Sequence, residues 1–165
     1  MYREEEKRIS KLLVSEQKRG GFSCCNCGRW VPFCEFMGTE HRNHCVLCLW
    51  SKHVDLKKPG DRRSVCKFKM RPIGLTFKQE GADKYGVVRQ GELMLVHECV
   101  SCGKVSINRI AADDNPEAIL RVFEESKLLA PQKVGQLRQD GIRILSEENK
   151  GEVITQLFGK KTGGK

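Results

Sequence analysis

The sequence predicts an α+β fold: a small antiparallel β unit pinned through cysteines, with one amphipathic helix before it and short helices after it. Three observations predict this. All nine cysteines fall between residues 24 and 102. Short β-type runs separated by glycines follow one another from residue 65 to residue 110. Past Ile110 the apolar spacing turns helical, opening on Asn115-Pro116.

Residues 1–20 form the first element, an amphipathic helix whose stripe is Ile9, Leu12 and Leu13, ended by Gly20-Gly21. That stripe is narrow, so the helix needs a neighbour to pack on. Residues 22–60 lack periodicity and are rich in Cys, Gly and Pro. Five strand signals come next: Val65 to Met70, Ile73 to Phe77, Tyr85 to Arg89, Leu93 to His97 and Val105 to Ile110. Turn glycines divide them, giving a β unit within residues 21–110. Residues 111–158 form a helical extension. Asn115 caps its first helix with Pro116 at the first turn, and Ile119, Val122 and Phe123 make the apolar face. Pro131 opens a short segment that Gly141 stops, and Ser146 caps a last helix with Val153, Ile154, Leu157 and Phe158 on its buried side. Gly159 ends it, and residues 159–165 read as a basic flexible tail.

The chain has 165 residues, with 30 Lys and Arg against 21 Asp and Glu, a formal charge of +9. This charge is concentrated. Residues 21–110 hold 15 basic and 8 acidic side chains, whereas residues 111–165 hold 9 of each. No apolar run approaches the roughly 20 residues of a membrane helix, and the charged first ten residues are unlike a secretory signal. Nine cysteines in such a chain are expected in a reducing cytoplasm, where these patterns mean metal or redox chemistry.

Cys24-x-x-Cys27 and Cys45-x-x-Cys48 are separated by 17 residues, the spacing of a four-thiolate structural zinc site. A CxxC turn aims two sulfurs at one ion, and two such turns complete a tetrahedron. Gly28 follows the second cysteine where the chain must turn tightly. Cys66, Cys99 and Cys102 imply a second site that lacks a fourth ligand. His53 arrives from a separate loop and is the easier partner for Cys66. His97, two residues before Cys99, crowds the tetrahedron and is the alternative ligand or a hydrogen-bonding neighbour. His44, just before Cys45, reads as another such neighbour. Cys25 and Cys34 are left over, as buried apolar thiols. The β unit is therefore zinc-ribbon-like, with two structural Zn²⁺ ions.

Phe22-x-Cys24-x-x-Cys27-Gly28, His41-Arg42-Asn43-His44-Cys45, Cys48-Leu49, Ser51, His53-Val54-Asp55, Pro59-Gly60-Asp61-Arg62, Cys66, Met70, Pro72, His97-x-Cys99-x-x-Cys102-Gly103 and Asn108-Arg109 resemble the bacterial RNHCP domain family. The resemblance covers residues 22 to about 110. One departure falls in the name itself, since Val46 stands where the family usually has Pro, yet both flanking ligands remain. A small zinc-binding bacterial domain is what the resemblance implies, with no established activity.

Filled four-donor sites leave no position for substrate, so no catalytic residues are expected; a zinc-activated water at the second site is the one enzymatic alternative. His97-Glu98-Cys99 does not satisfy the deaminase pattern. Asp113-Asp114 reads as helix capping rather than a catalytic pair. The most informative functional stretch runs from Lys57 to Arg71, where Lys57, Lys58, Arg62, Arg63, Lys67, Lys69 and Arg71 face one acid, Asp61. On a strand, Lys67, Lys69 and Arg71 would share one face, and Arg109 would extend the row. Such a ribbon suits a phosphate backbone, so RNA or the ribosome is the expected partner. The alternative is a protein-interaction scaffold that presents the terminal helices. Neither a membrane nor a small-molecule substrate is expected.

Overall fold

A computed structural model describes residues 18–37 and 41–159, together with Arg3, Glu4, Lys7, Lys11, Ser15 and Glu16. Its architecture is α+β with two antiparallel sheets. The small sheet pairs β1 (Gly21–Ser23) with β2 (Trp30–Pro32) around the first CxxC turn. The larger sheet runs β3 (Ser51–Lys52), β4 (Lys69–Phe77), β5 (Leu93–Cys99) and β6 (Val105–Arg109) in that spatial order. Three helices follow: α1 (Pro116–Ser126), α2 (Pro131–Gln139) and α3 (Lys150–Phe158).

β4 and β5 are long enough to form the centre of the sheet, and their middle residues are buried, Leu75, Leu93 and Leu95 against α1 and Ile73 and Val96 against Leu137 and Ile142. Here the structure corrects the sequence reading. Of the run expected at Val65 to Met70 only Lys69 and Met70 are strand, Val65 to Phe68 being loop, and these two continue with the run expected at Ile73 to Phe77 as one strand, carried past Pro72 by an irregularity between Pro72 and Gly74. Proline is tolerated there because β3 ends before reaching it, so its missing N–H faces no partner strand. Tyr85 to Arg89 is no strand. Its β-type composition sits in an exposed loop closed by a lone bridge between Ala82 and Val88, with Gly86 at φ 77°.

The helical extension begins as its sequence dictates. Asn115 accepts from the amides of Glu117 and Ala118, and Pro116 sits in the first turn. Ala118, Ile119, Val122 and Phe123 pack with Leu75, Leu93 and Leu95 of the sheet, Val153 of α3, and Leu49 of the second CxxC turn. A second cluster joins Ile73 and Val96 to Leu137 and Ile142. Of the face expected on α3, Val153 is buried, while Ile154 and Phe158 are exposed. The described positions before Gly20 are helical. Ile9, Leu12 and Leu13, expected to be that helix's apolar stripe, lie outside the described residues, as do 160–165 of the expected tail. Among the described residues, no helix is long and apolar enough to cross a membrane.

Candidate metal centres

Three CxxC turns share one backbone plan. The first cysteine's amide donates to the carbonyl five residues on, in Cys24 to Arg29 (2.8 Å), Cys45 to Trp50 (2.9 Å) and Cys99 to Lys104 (2.8 Å). Its own carbonyl accepts from the residue after the second cysteine: Gly28 (3.0 Å), Leu49 (2.9 Å) and Gly103 (3.0 Å). That residue must take a left-handed conformation, with φ of 75°, 61° and 73° respectively. Glycine adopts it freely, but Leu49 does so against a steric cost of about 1 kcal/mol. Its fully buried side chain in the α1 core holds it there.

Amides inside the turns point at sulfur. Asn26 and Cys27 donate to Cys24 Sγ at 3.3 and 3.4 Å, and Leu47 donates to Cys45 Sγ at 3.5 Å. This stabilises thiolates, the form that binds metal. In the bare cluster the Arg29 amide brings the Cys27 thiol down to about 7, while burial pushes the Cys48 thiol up.

The donor atoms of Cys24, Cys27, Cys45 and Cys48 all lie within 4.8 Å of one another. Across the group, Cys24 to Cys48 is 3.5 Å and Cys27 to Cys45 is 3.6 Å. A tetrahedral ion with Zn–S near 2.3 Å places its sulfurs about 3.8 Å apart, so four thiolates here fit zinc closely. The second group joins His53, Cys66, Cys99 and Cys102 within the same 4.8 Å limit. Cys66 and Cys99 are 3.6 Å apart, and His53 Nδ1 stands 3.3 Å from Cys102 Sγ. Burial pushes the His53 pKa down, which favours the neutral form that a ligand requires. Both sets fit two zinc ions, and each supplies the full four donors of a structural site.

His97 stands elsewhere. It is completely buried, its Nε2–H donates to Leu49 O at 2.7 Å, and its Nδ1 accepts from Asn108 Nδ2 at 2.8 Å. Leu49 O is only an acceptor, which fixes the proton on Nε2. Burial, with His44 adding to it, holds the ring's pKa down to about 3. His97 thus anchors the carbonyl at the end of the second CxxC turn. We expect His53→Ala to lose the second zinc and with it the fold, and His97→Gln to keep two zinc ions per chain while lowering stability. Elemental analysis beside thermal denaturation reads both; one zinc in His97→Gln would contradict this assignment.

The tetrad before Cys45 is a hub of long-range contacts. Arg42, 3% exposed, forms a two-pronged ion pair with Asp113 and donates to Pro32 O at 3.3 Å. Asn43 donates to Asp55 at 3.1 Å and accepts from Arg62. His44 Nε2 lies 2.7 Å from Asp114, whose same oxygen accepts from the Ala111 amide at 2.8 Å. The expected capping role of Asp113 and Asp114 is therefore corrected: Asn115 caps the helix, and the two aspartates clamp its approach to the zinc turn.

Residues 57–71 also differ from a flat ribbon. Asp61 accepts from the amides of Leu56, Lys57, Lys58 and Arg63, which hold its carboxyl far below the usual carboxylate range. Asp55 accepts from Gly60 and Arg62. Gly60 has φ 85°, and a Cβ there would meet the His41 ring at 2.6 Å. The segment is thus a tight loop built around two carboxylates. Lys67, at φ 55°, precedes β4, so the expected shared strand face of Lys67, Lys69 and Arg71 does not form. Lys67 Nζ is buried without a hydrogen-bond partner among the described residues. Lys57, Lys58, Arg63 and Lys69 are exposed. Arg71 pairs with Glu98 at 3.1 Å, and Arg109 with Glu92 at 2.9 Å. Lys104 reaches back to the carbonyl of Leu56. Cys25 donates to Ser51 O at 3.2 Å; like Cys34, it is half-buried rather than in the core. Asp55 and Asp61 carried no predicted role, since the Pro59-Gly60 turn signals a bend without naming the carboxylates it wraps.

Neither the curated proteins nor the solved structures include a match to this chain. The RNHCP domain matches residues 19–120, from the end of the first helical segment through the zinc turns into α1. With more than half of its length matched and both four-donor groups inside the match, the chain belongs to the RNHCP domain family, in a structural zinc-binding role.

Proposed function

We propose that this zinc-stapled domain binds nucleic acid, RNA foremost and on the ribosome, through the loop at residues 56–63 and the adjoining Lys69. One observation carries the reading. Asp61, the only acid among residues 57–71, directs its carboxylate at four backbone amides. Among the described residues, Lys57, Lys58, Arg63 and Lys69 have no ion-pair partner. Their side chains are therefore displayed on a loop whose one acid is turned inward onto its own backbone, and on the adjoining start of β4, an arrangement that suits phosphates and counterion release. Arg71 and Arg109, paired with glutamates, contribute less.

The expected result is RNA binding that weakens steeply with salt. Replacing Lys57, Lys58 and Arg63 by Ala together should reduce the logarithmic salt slope by about 2, at roughly 0.7 per single-strand phosphate contact. Binding unaffected by that triple change would overturn the proposal. A protein-scaffold reading rests on exposed Leu128, Ile154 and Phe158. It predicts salt-insensitive capture of a protein, lost on changing Ile154 and Phe158 to polar residues. Val153 is unsuited to that test because it belongs to the core.

A further inference from the structure

Beside the basic loop lies a cavity of about 340 Å³, within the size range of small-ligand sites. Three aromatic rings, Phe22, Phe33 and Trp50, line it together with Lys52 and Arg62. Phe22 and Phe33 pack on each other with centroids 6.0 Å apart, leaving Phe33 part-exposed. Lys67, whose buried ammonium finds no hydrogen-bond partner among the described residues, lies in the field of Lys52, Arg62, Asp55 and Glu16, and of these Lys52, Arg62 and Glu16 line the cavity. Among the described residues, Glu16 is the one carboxylate in the lining. Gly60 and Arg62 belong both to the cavity wall and to the loop that displays Lys57, Lys58 and Arg63. Apolar rings with a cationic margin, continuous with a phosphate-binding loop, match a flat aromatic group carrying an anion.

We infer that this cavity takes one unpaired nucleotide of a bound strand, its base against the aromatic rings and its phosphate toward Lys52 and Arg62. The inference rests on the nucleic-acid reading above and sharpens it to single-stranded substrate. A paired base is stacked inside its helix and cannot enter, whereas an unpaired base can be splayed onto aromatic side chains. Sequence preference would be weak, since every base has a face to stack. The two carboxylates beneath the loop keep its backbone fixed, so the neighbouring phosphates and the inserted base are held in one register.

The test uses the full zinc-loaded chain in a Trp30→Phe background, where Trp50 is the remaining indole. Probes are a ten-nucleotide oligoadenylate, a blunt RNA duplex of equal length, and adenosine monophosphate. The oligoadenylate should quench Trp50 fluorescence and bind at least tenfold more tightly than the duplex at fixed salt. Trp50→Leu and, independently, Phe33→Leu should each weaken single-strand binding by about tenfold while leaving duplex binding and two zinc ions per chain unchanged. Equal affinity for both RNAs with no quenching would overturn the cavity assignment and leave the nucleic-acid reading standing. No binding of either RNA would overturn both. Saturation by micromolar adenosine monophosphate with strands excluded would overturn the strand as the source of the nucleotide.

Discussion

Removing zinc should unfold the β unit and undock α1. Structural zinc contributes about 10–16 kcal/mol in small fingers, while a whole domain is stable by only about 5–15 kcal/mol. Loss of even one ion therefore exceeds what the remaining core supplies. The first site closes the turns holding Cys24 and Cys45, and the second joins the loop at His53 and Cys66 to the end of β5 at Cys99. Without them, the sulfurs held 3.5 to 3.6 Å apart lose the ion that draws them together. Chelator titration followed by circular dichroism should show cooperative loss of sheet and helix together. Cys45→Ser should reproduce it without chelator. A metal-free, reduced chain that keeps its native near-ultraviolet spectrum would defeat the expectation.

The next largest effect is expected at Arg42 and Asp113. The guanidinium is buried, so removing Asp113 leaves a charge with neither water nor counterion around it. Breaking such a pair from one side costs about 3–5 kcal/mol. The lower figure applies because the Asp113 side chain keeps 32% exposure. For a chain of this size, about 3 kcal/mol is a drop of roughly 10 °C in Tm. Replacing both partners, with Arg42→Met and Asp113→Leu, should recover much of the loss, since no unpaired charge remains.

The pH dependence separates an ion pair from simple packing. Hydrogen bonds from Arg42 depress the Asp113 pKa. A depressed carboxylate contributes stability that is complete above the ordinary carboxylate range, near pH 4, and is lost as pH falls through the lowered value. The stability gap between wild type and Asp113→Asn should be widest near neutral pH and close on the acid side. A gap constant with pH would mean that the aspartate acts through shape alone.

How much of this was legible depended on the distance over which each contact acts. CxxC turns are local: spacing and a following glycine specify them, and the third turn repeats the first. Choosing His53 over His97 was open to argument from geometry because three ligands within six residues strain a tetrahedron. By contrast, Tyr85 to Arg89 carries strand-like side chains but has no strand to pair with. Pro72 resembled a strand break because only register shows that its missing N–H faces an edge. Asp113 and Asp114 looked like caps because their partners, Arg42 and His44, are about 70 residues away in sequence. The loop carboxylate of Asp61 acts through backbone amides, and that of Asp55 through two amides and the distant Asn43, none of which leaves a local side-chain signature.

Leu49 belongs to two structures at once. Its backbone completes a zinc turn, its carbonyl is held by His97, and its side chain fills the core beneath α1. By thermodynamic reciprocity, whatever metal occupancy gives to helix docking, helix docking returns to metal affinity. The affinity of the first site for its ion is thus partly written in Phe123 and Ile119, residues with no donor atom to offer, and the cell's free zinc level becomes an input to how firmly α1 is seated.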